Sequence, residues 1–546
     1  MIKILSITMK RVYTYLLMIT ILLSSTIASA QTGRWMKYET TFTSSKSYGN
    51  PLYDVRNFSV RFTAPSGKAT TLAGFWDGAT TWRVRFAPDE VGTWTYTTDC
   101  SDKQNIGLHE QKGTFQCIET SSPFDIYSKG SIMHPKGTYY LTHADGTPFF
   151  YTACTAWNGA LKSTDDEWNT YLKDRVANHY NVIQFTTTQW RGASTNSAGQ
   201  VAFTGSGRIS LNSEFFQLLD KKVDEINAHG LVAAPVLLWA LQSGPGRELS
   251  PGYYLPDQEA IMLAKYLVAR YGGHQVIWIL GGDGKYIEEY EQRWKNIGRG
   301  VFGQPHPGTV ALHPQGQSWV GKEYAHEEWV DILGFQTGHN ASPRTMKWIT
   351  EGPVATEWIQ LPPKAFINME PVYEDILPST NAPEVRNASY WSIFSTPTAG
   401  ITYGANGIWP WIRPGEEIEN HGKPHILRPW YESVKLPGSV QIGYMAEFMR
   451  KHNWWQLKPA QELLAENKEA AEFISLACSD DRSTLMAYVP KPATVKIYAS
   501  AGITYLGQWF DPVKNTYVPA KISYENGVLE ATTTTEGDRV LVLKKN

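Results

Sequence analysis

Two short apolar runs, each ending in a carboxylate, decide the predicted fold: QVIWILGGD at residues 275–283 and KAFINME at residues 364–370. Short runs of this kind are typical of strands that are buried on both faces of a parallel sheet. In a β/α barrel, such strands carry their last residues to the face that holds the chemistry of barrel enzymes. The sequence therefore predicts that Asp283 and Glu370 lie at one face of a barrel.

A pair of carboxylates at such a face is typical of glycoside hydrolysis. Breaking an acetal requires a proton donor for the leaving oxygen and a second carboxylate that attacks the anomeric carbon or activates water. A structural interpretation is also open, in which Asp283 caps a helix beginning near Ile287 and Glu370 is a solvated loop residue. The matching strand-end positions and the abundance of Trp and Tyr (21 and 29 residues) favour the functional interpretation.

Six further apolar runs, separated by amphipathic segments, bring the set to eight strands. In chain order the eight are FFYTACTAW, NVIQFTTTQW, LVAAPVLLWA, QVIWILGGD, GTVALHP, DILGFQTGH, KAFINME and GITYGANGIW. Helix signals lie between them: Thr164 and Glu167 form a capping box, Asn212 or Ser213 opens a second helix, and Asp257 opens a third. This alternation predicts an α/β fold, a (β/α)8 TIM barrel over residues 121–460.

The chain on either side of the predicted barrel alternates β-type runs with turns. The run TWRVRF at residues 81–86 shows the two-residue period of a half-buried strand. We expect an Ig-like β-sandwich at residues 31–120 and a second β-sandwich at residues 461–546. A chain of 546 residues is long enough for these three domains.

The amino terminus has the three parts of a secretory signal peptide. A basic pair at residues 10–11 precedes the apolar stretch YLLMITILL at residues 15–23, and the small residues ASA follow at residues 28–30. We predict a signal peptide over residues 1–30, with cleavage after ASA. A membrane anchor is disfavoured because the apolar stretch is short. The mature protein is expected to be exported, periplasmic or extracellular, with no integral membrane segment.

The four cysteines, at positions 100, 117, 154 and 478, have no CxxC spacing that would indicate zinc. An exported protein is in a compartment where disulfides can form. Cys100 and Cys117 fall in one predicted β domain, and the sequence leaves open whether they pair.

Composition and missing motifs argue against several other classes of function. The 50 basic and 52 acidic residues are balanced without an Arg-rich tract, so nucleic acid is not a predicted partner. No HExxH motif occurs, GQSWVG at residues 316–321 lacks the spacing of a nucleophile elbow, and GPG at residues 244–246 lacks the third glycine of a dinucleotide loop. His313 and His339 have no third metal ligand at a recognisable spacing. We therefore predict a carbohydrate ligand, and no cofactor or metal.

We assign Asp283 as the general acid/base and Glu370 as the nucleophile. Burial against rings such as Trp278 or Tyr286 would raise the pKa of the acid and keep it protonated near neutral pH. The remaining strand ends are predicted to form a substrate pocket. The residues predicted to line this pocket are Trp157, Gln184, Trp239, His313, Gln336, His339 and Trp409.

The chain resembles the apiosidase-like glycoside hydrolases, family 140 and its relatives, over nearly all of its mature length. VRFAPDEVGTWTYT at residues 84–97 is similar to the Ig-like domain that precedes many such barrels, and GANGIWPW at residues 404–411 is similar to the family's eighth strand. The carboxyl end resembles the domain that the family names collagen-binding. The resemblance implies that Asp283 and Glu370 are the catalytic pair, and that the substrate is a plant or algal polysaccharide or oligosaccharide.

The sequence departs from the family pattern at two places. Cys154 stands where family members often carry an Asp before Thr-Ala-Trp, which places apiose specificity in question. Gly282 and Asp283 replace the Asn-Glu pair of related retaining barrels, so the stereochemical course does not follow from the resemblance. A different class of function also stays open, a non-catalytic glycan-binding or matrix-adhesion protein with the barrel as scaffold. The carboxylate pair favours the enzyme.

Overall fold

The computed structural model describes residues 30–304, 306–422, 426–499 and 502–546. Apart from Ala30, the predicted signal peptide lies outside the described residues, and its prediction stays untested. Within the described ranges, no helix is long and apolar enough to span a membrane.

The centre of the molecule is a closed barrel of eight parallel strands. The strands follow each other around the barrel in chain order, and every predicted run supplies one of them. Their bounds are β12 Tyr151–Thr155, β13 Val182–Thr186, β16 Val232–Trp239, β17 Ile277–Gly284, β18 Thr309–Pro314, β19 Ile332–Gln336, β20 Ala365–Glu370 and β21 Thr398–Tyr403. Between β13 and β16, the short strands β14 Phe203–Thr204 and β15 Ser210–Leu211 pair with each other outside the barrel. The predicted TIM barrel, flanked by β domains, is confirmed.

Helices connect successive barrel strands. They are α3 Gly159–Lys162, α4 Asp165–Ala177, α5 Ser213–Ala228, α6 Pro251–Tyr254, α7 Asp257–Tyr271, α8 Glu291–Phe302, α9 Gly321–Tyr324, α10 Pro343–Glu351, α11 Pro353–Glu357 and α12 Ala382–Ser395, and two more helices, α13 Trp430–Ser433 and α14 Pro437–Arg450, follow the last strand. The predicted capping box of Thr164 and Glu167 opens α4, and the Asn212 side chain accepts hydrogen bonds from the first turn of α5. Because these caps satisfy orphan N–H groups, α4 and α5 each begin at a defined residue.

The amino-terminal domain is a sandwich of two sheets, with strand orders β1-β8-β7-β3-β4 and β2-β6-β5. Aromatic side chains from both sheets, such as Phe62 and Trp82, share one core. The elements are β1 Ala30–Gly33, β2 Tyr38–Thr43, α1 Pro51–Asp54, β3 Phe58–Thr63, β4 Ala69–Ala73, β5 Phe75–Trp76, β6 Thr81–Phe86, β7 Gly92–Cys100 and β8 Lys112–Ile118. Short elements α2 Asp125–Ser128, β9 Ile132–Met133, β10 Leu141–His143 and β11 Pro148–Phe149 then lead into the barrel.

The carboxyl-terminal domain is also a two-sheet sandwich, with orders β22-β23-β24-β30-β26-β27 and β25-β29-β28. Its strands are β22 Leu457–Pro459, β23 Ser475–Ser479, β24 Thr484–Val489, β25 Ala493–Tyr498, β26 Tyr505–Asp511, β27 Thr516–Pro519, β28 Ile522–Glu525, β29 Val528–Thr533 and β30 Arg539–Lys545. Arg386 of α12 donates two hydrogen bonds to Asp538, and the Tyr390 and Tyr488 rings stack at 4.7 Å. The domain is therefore anchored on the outer face of the barrel.

A buried ion network joins the amino-terminal domain to the barrel. The guanidinium of Arg85, in β6, donates to Asp220 of α5 at 2.6 Å and to Glu39 at 2.7 Å. Arg270 of α7 donates twice to Asp220, at 2.7 Å each, and to Asp77 at 2.8 Å. The two guanidinium groups therefore share one carboxylate, Asp220, at the domain boundary.

All four cysteines are buried and free. Cys100 lies at one end of β7, whereas Cys117 in β8 is opposite Gly92 at the other end. At the rise of a β-strand the two are separated by roughly 26 Å, far beyond the reach of a disulfide. The pairing that the sequence left open is therefore excluded by strand register, which spacing along the chain does not reveal.

Candidate active site

Asp283 lies near the carboxyl end of β17, where the pairing with β18 is irregular on both sides of Gly282. A Cβ at Gly282 would lie 2.8 Å from the Trp239 ring, so only glycine leaves room for this tryptophan. The backbone of Asp283 is left-handed, with φ of 49°. Asp tolerates this conformation better than most residues, and the strand can therefore bend at the carboxylate.

His313, at the end of β18, lies between the two carboxylates. The backbone N–H of Asp283 donates a hydrogen bond to His313 Nδ1 at 3.0 Å. The other ring nitrogen, Nε2, is 3.1 Å from Glu370 Oε2. The His313 side chain is fully buried. One imidazole ring therefore contacts both predicted catalytic residues.

Glu370 ends β20 and is 5% exposed, which contradicts the interpretation of a solvated loop residue. Its Oε1 is 3.1 Å from Nε2 of His339, which follows β19. The Glu370 N–H is 3.4 Å from Oδ1 of Asn368, and the Asn368 amide donates in turn to Thr337 and Ser392. The carboxylate therefore lies in a pocket of buried polar groups.

The environments of the two carboxyl groups shift their pKa values in opposite directions. Burial, and after it the charge of Glu370, raises the pKa of Asp283 to about 7. Burial alone would raise the pKa of Glu370 as well, but the ring nitrogens of His313 and His339 hold it well below its usual value. Near neutral pH the site therefore holds one protonated and one ionised carboxyl group, which is the division that acid-assisted glycoside cleavage requires.

The histidine beside Glu370 carries positive charge more readily than an ordinary histidine. Burial alone would lower the pKa of His339, but the contact with Glu370 and the charge of Asp283 raise it above the usual value. The ring also packs against Tyr373 in a tilted arrangement, with the ring centroids 4.3 Å apart. His339 therefore provides a counter-charge for the ionised Glu370.

Aromatic rings form a continuous wall beside the carboxylates. The Trp157 ring packs edge-on against Trp239 at 5.3 Å and against His313 at 5.5 Å. Trp239 in turn contacts Trp190 at 4.2 Å, and Trp190 lies 6.1 Å from Trp409. Three of the predicted pocket tryptophans are therefore brought together, with Trp190 as the link between them.

The two predicted glutamines are buried in the barrel strands. Gln184, in β13, donates to the Tyr151 hydroxyl at 3.0 Å. Gln336, at the end of β19, is the register partner of Glu370 in β20. Gln336 is thus adjacent to the carboxylate pair, whereas Gln184 is fixed by a neighbouring strand.

Several buried polar atoms of these residues have no aligned hydrogen-bond partner within the described ranges. They are Gln184 Oε1, Trp239 Nε1, His313 Nε2, Gln336 Oε1, Glu370 Oε2 and Trp409 Nε1. Buried polar groups are normally satisfied by protein or water, so each of these atoms can make a further hydrogen bond. The set contains both donors and acceptors, as recognition of sugar hydroxyls requires.

Two residues of the site were missed in the sequence. Trp190 is the last residue of the predicted second run, four residues beyond the end of β13, and its indole N–H donates to Asn158 at 2.7 Å. The Tyr373 hydroxyl accepts a hydrogen bond from Trp157 Nε1 at 2.9 Å, and burial together with the Glu370 charge raises its pKa well above the usual value. Its position three residues after Glu370, in EPVY, was the available signal.

Two structural expectations for Asp283, the helix cap and burial against Trp278, are wrong, whereas the buried Tyr286 does lie near the carboxyl group. Asp283 does not cap a helix, because the next helical turn, Glu288–Tyr290, begins after Ile287 without a side-chain cap. Trp278 does not bury the acid, because its indole donates to the Pro307 carbonyl and its strand partner is Val310, near the start of β18. The barrel layout separates the two ends of β17, so the ring and the carboxylate lie apart.

A second buried carboxylate near the site has a structural role. Glu374 accepts hydrogen bonds from the Tyr403 hydroxyl at 2.7 Å and from the Gly438 N–H at 3.1 Å. Both of its oxygens are therefore satisfied by the protein. Glu370, by contrast, keeps Oε2 without an aligned partner in the described part of the chain.

Comparisons with known proteins define the class. Residues 135–456 match the family described as "Apiosidase-like, catalytic domain", and residues 31–101 match a domain of unknown function, DUF5060. The fold and this match together define a glycoside hydrolase. Since the first match spans more than half of the chain, the protein belongs to the apiosidase-like family. No curated protein matches the chain.

Solved structures share the fold at low sequence identity. A glycoside hydrolase superposes with a TM-score of 0.65 at 23% identity, covering 77% of this chain and 97% of its own. A family 5 glycoside hydrolase from Bacteroides vulgatus superposes with a TM-score of 0.65 at 22% identity, and the match covers 77% of this chain and 94% of the other. Another structure from the same bacterium superposes with a TM-score of 0.68 at 17% identity, and the match covers 95% of this chain and 100% of the other. The likeness to the last structure therefore extends beyond the barrel.

Proposed function

We propose that this glycoside hydrolase uses Asp283 as general acid/base and Glu370 as nucleophile. The observation that carries the proposal is the placement of the two carboxyl groups at the ends of β17 and β20, where one ring, His313, contacts both residues. The opposite directions of their pKa shifts agree with these roles. In the first step, the protonated Asp283 gives its proton to the leaving oxygen while the ionised Glu370 attacks the anomeric carbon. In the second, Asp283 takes a proton from water, which then releases the sugar from Glu370.

The pocket supports a sugar substrate. Flat indole faces at Trp157, Trp239 and Trp409 suit the apolar faces of a pyranose or furanose ring. The unpaired indole N–H groups and amide oxygens can bind its hydroxyl groups. Following the family resemblance, we infer that the substrate is a plant or algal polysaccharide or oligosaccharide, and that the enzyme is exported to reach it.

The proposal is tested by sugar release from a panel of pectic, hemicellulosic and algal glycans. Wild type is compared with Asp283→Asn and Glu370→Gln, after circular dichroism has shown that both variants are folded. We expect wild type to release sugar from at least one glycan and both variants to lose this activity. Equal sugar release by wild type and both variants would show that Asp283 and Glu370 are not the catalytic pair. Binding without cleavage by wild type would instead favour a glycan-binding scaffold.

The pH dependence of kcat/KM should have its alkaline limb near pH 7. Asp283 must be protonated to assist departure of the leaving group, and its pKa is raised to about 7, so activity falls as pH rises through this value. The pKa of Glu370 is lowered, which places the acid limb well below the usual Glu range. A pH–rate profile measures both limbs. An alkaline limb below pH 5 would contradict the role of Asp283.

Asp283→Asn should stabilise the fold at alkaline pH. The native state binds the Asp283 proton up to about pH 7, whereas the unfolded chain releases it near 4, so the contribution of this group to stability is lost as pH rises through 7. This difference in pKa between the folded and unfolded states corresponds to about 4 kcal/mol at most. Because Asp283 is partly exposed, we expect a gain of about 1 to 2 kcal/mol at pH 8.

Urea unfolding at pH 8 and at pH 4.5 measures this gain. Asn is the matched replacement because it also tolerates the left-handed backbone. The difference between variant and wild type should shrink towards the lower pH. A variant that is less stable than wild type at pH 8 would show that Asp283 is not a destabilised carboxylate.

A further inference from the structure

We propose that His313 is a two-ended positioning residue, held in a single tautomer, that fixes the acid/base and the nucleophile relative to each other. The inference rests on the proposed roles of Asp283 and Glu370. It assigns to His313 the function of setting the geometry between them, in addition to lining the pocket.

The tautomer follows from the hydrogen bond to the main chain. A backbone N–H can only donate, so Nδ1 of His313 must accept the bond from Asp283 and cannot carry a proton. The neutral ring then has its proton on Nε2, which lies 3.1 Å from Glu370 Oε2. The ring therefore accepts from one catalytic residue and presents a donor to the other.

The bond at Nδ1 holds the backbone of Asp283 in an unusual conformation. With φ of 49°, Asp283 is left-handed at an irregular point of strand pairing, where Gly282 is opposite His313. A left-handed non-glycine residue needs support from its surroundings. The hydrogen bond from the Asp283 N–H is such a support, and it comes from the neighbouring strand. Through this bond, His313 sets where the acid/base projects from the barrel.

The contact at Nε2 is close but not yet a straight hydrogen bond. Within the described residues, neither Nε2 of His313 nor Oε2 of Glu370 has an aligned partner, although both are buried. Catalytic hydrogen bonds are often misaligned in the free enzyme and tighten when substrate binds. Edge-on packing of the Trp157 ring against His313 at 5.5 Å limits how the imidazole can tilt. We therefore expect His313 Nε2 and Glu370 Oε2 to form an aligned hydrogen bond when substrate binds and Glu370 is oriented for attack.

Two substitutions each remove the contact made by one of the two ring nitrogens and keep the other. In His313→Asn, the side-chain oxygen can replace Nδ1 as acceptor for Asp283, but the amide is too short to reach Glu370. In His313→Gln, the terminal amide can replace Nε2 as donor to Glu370, but the acceptor at the Nδ1 position is lost. His313→Ala removes both contacts. Thermal unfolding checks that each variant is folded before kinetics are measured.

We expect His313→Asn to keep the alkaline limb of the pH profile and to raise the pKa of the acid limb, because Glu370 loses its donor. His313→Gln should keep the acid limb but lower kcat, because Asp283 is displaced. Each change should cost about 10-fold in kcat and His313→Ala about 100-fold, the scale of a misplaced catalytic group. Unchanged kcat in the Ala variant, or identical profiles for Asn and Gln, would overturn the proposal.

A measurement without turnover tests the tautomer itself. Nitrogen NMR of protein labelled at histidine distinguishes a protonated from an unprotonated ring nitrogen, and His313→Gln identifies the His313 signals. Nδ1 should be unprotonated and Nε2 protonated at neutral pH. A proton on Nδ1 would overturn the inference, even if Asp283 and Glu370 prove to be catalytic. A correct tautomer in a protein whose Glu370→Gln variant stays active would instead reject the proposed function.

Discussion

Glu370→Gln is expected to reduce kcat by roughly 10⁴- to 10⁶-fold, the range seen when the nucleophile of a covalent hydrolase is removed. The amide has the shape of the carboxylate but cannot form the glycosyl–enzyme ester. Substrate binding should change much less, because the indole wall and His339 stay in place. The measurement is kcat and KM on the substrate found in the glycan panel. Loss of the Glu370 charge should also lower the pKa of Asp283 below 7.

Glu374→Gln is the matched control for this substitution. Glu374 lies four residues further along the chain, is equally buried, and receives the same chemical change. Its oxygens contact Tyr403 and Gly438 rather than the pocket, so we expect a loss of stability with a far smaller loss of kcat. If both variants lost activity to the same degree, the effect at position 370 would reflect damage to the barrel rather than missing chemistry.

Asp220→Ala is expected to destabilise the protein by about 3 to 5 kcal/mol, the usual cost of removing one partner from a buried ion pair. It leaves the guanidinium groups of Arg85 and Arg270 at the domain boundary without the carboxylate that they share. Burial alone would raise the pKa of Asp220, but the two arginines lower it to about 2. The stabilisation is therefore present above pH 4 and is lost as pH falls through about 2.

Urea unfolding at pH 7 measures this loss. The control is Asp480→Ala, which breaks the exposed pair with Lys458, where Asp480 is 75% exposed. Pairs of this kind contribute about 0 to 1 kcal/mol, so the control should unfold close to wild type. An Asp220→Ala variant as stable as the control would show that the network does not hold the amino-terminal domain on the barrel.

The barrel could be predicted because its signals are local. Each strand is a short apolar run bounded by turn residues, and some crossover helices carry a cap that is visible in the sequence, as at Thr164 and Asn212. The order of the strands needs no further information, since successive β/α units close in one direction. The same rule placed Asp283 and Glu370 at one face, because both end barrel strands.

The interior of the site could not be predicted, because it depends on register between strands. Nothing in GGDG indicates that Asp283 is left-handed, or that its N–H meets the ring of His313 thirty residues later. The same limit explains Cys100 and Cys117, which are close in sequence, although Cys100 ends β7 and Cys117 in β8 is opposite Gly92 at the other end of β7. Long-range contacts of this kind are set by packing rather than by local pattern.

The buried contacts between the amino-terminal domain and the barrel were equally hidden in the sequence. Arg85 has the pattern of an outward-facing residue in a half-buried strand, yet it is only 5% exposed because α5 and α7 cover it. Predicting this burial would have required the docking of two domains in advance. Tyr373 illustrates the same point within the barrel, since only the strand-end turn brings its hydroxyl to Trp157.

The most direct test of the account is to trap the covalent intermediate. The enzyme is incubated with a fluorinated analogue of the sugar that it releases, and the labelled peptide is identified by mass spectrometry. The account predicts a single glycosyl group on the peptide that contains Glu370, with no label in Glu370→Gln. A label on another carboxylate, or release of product with inverted configuration and no label, would contradict the assignment of Glu370 as nucleophile.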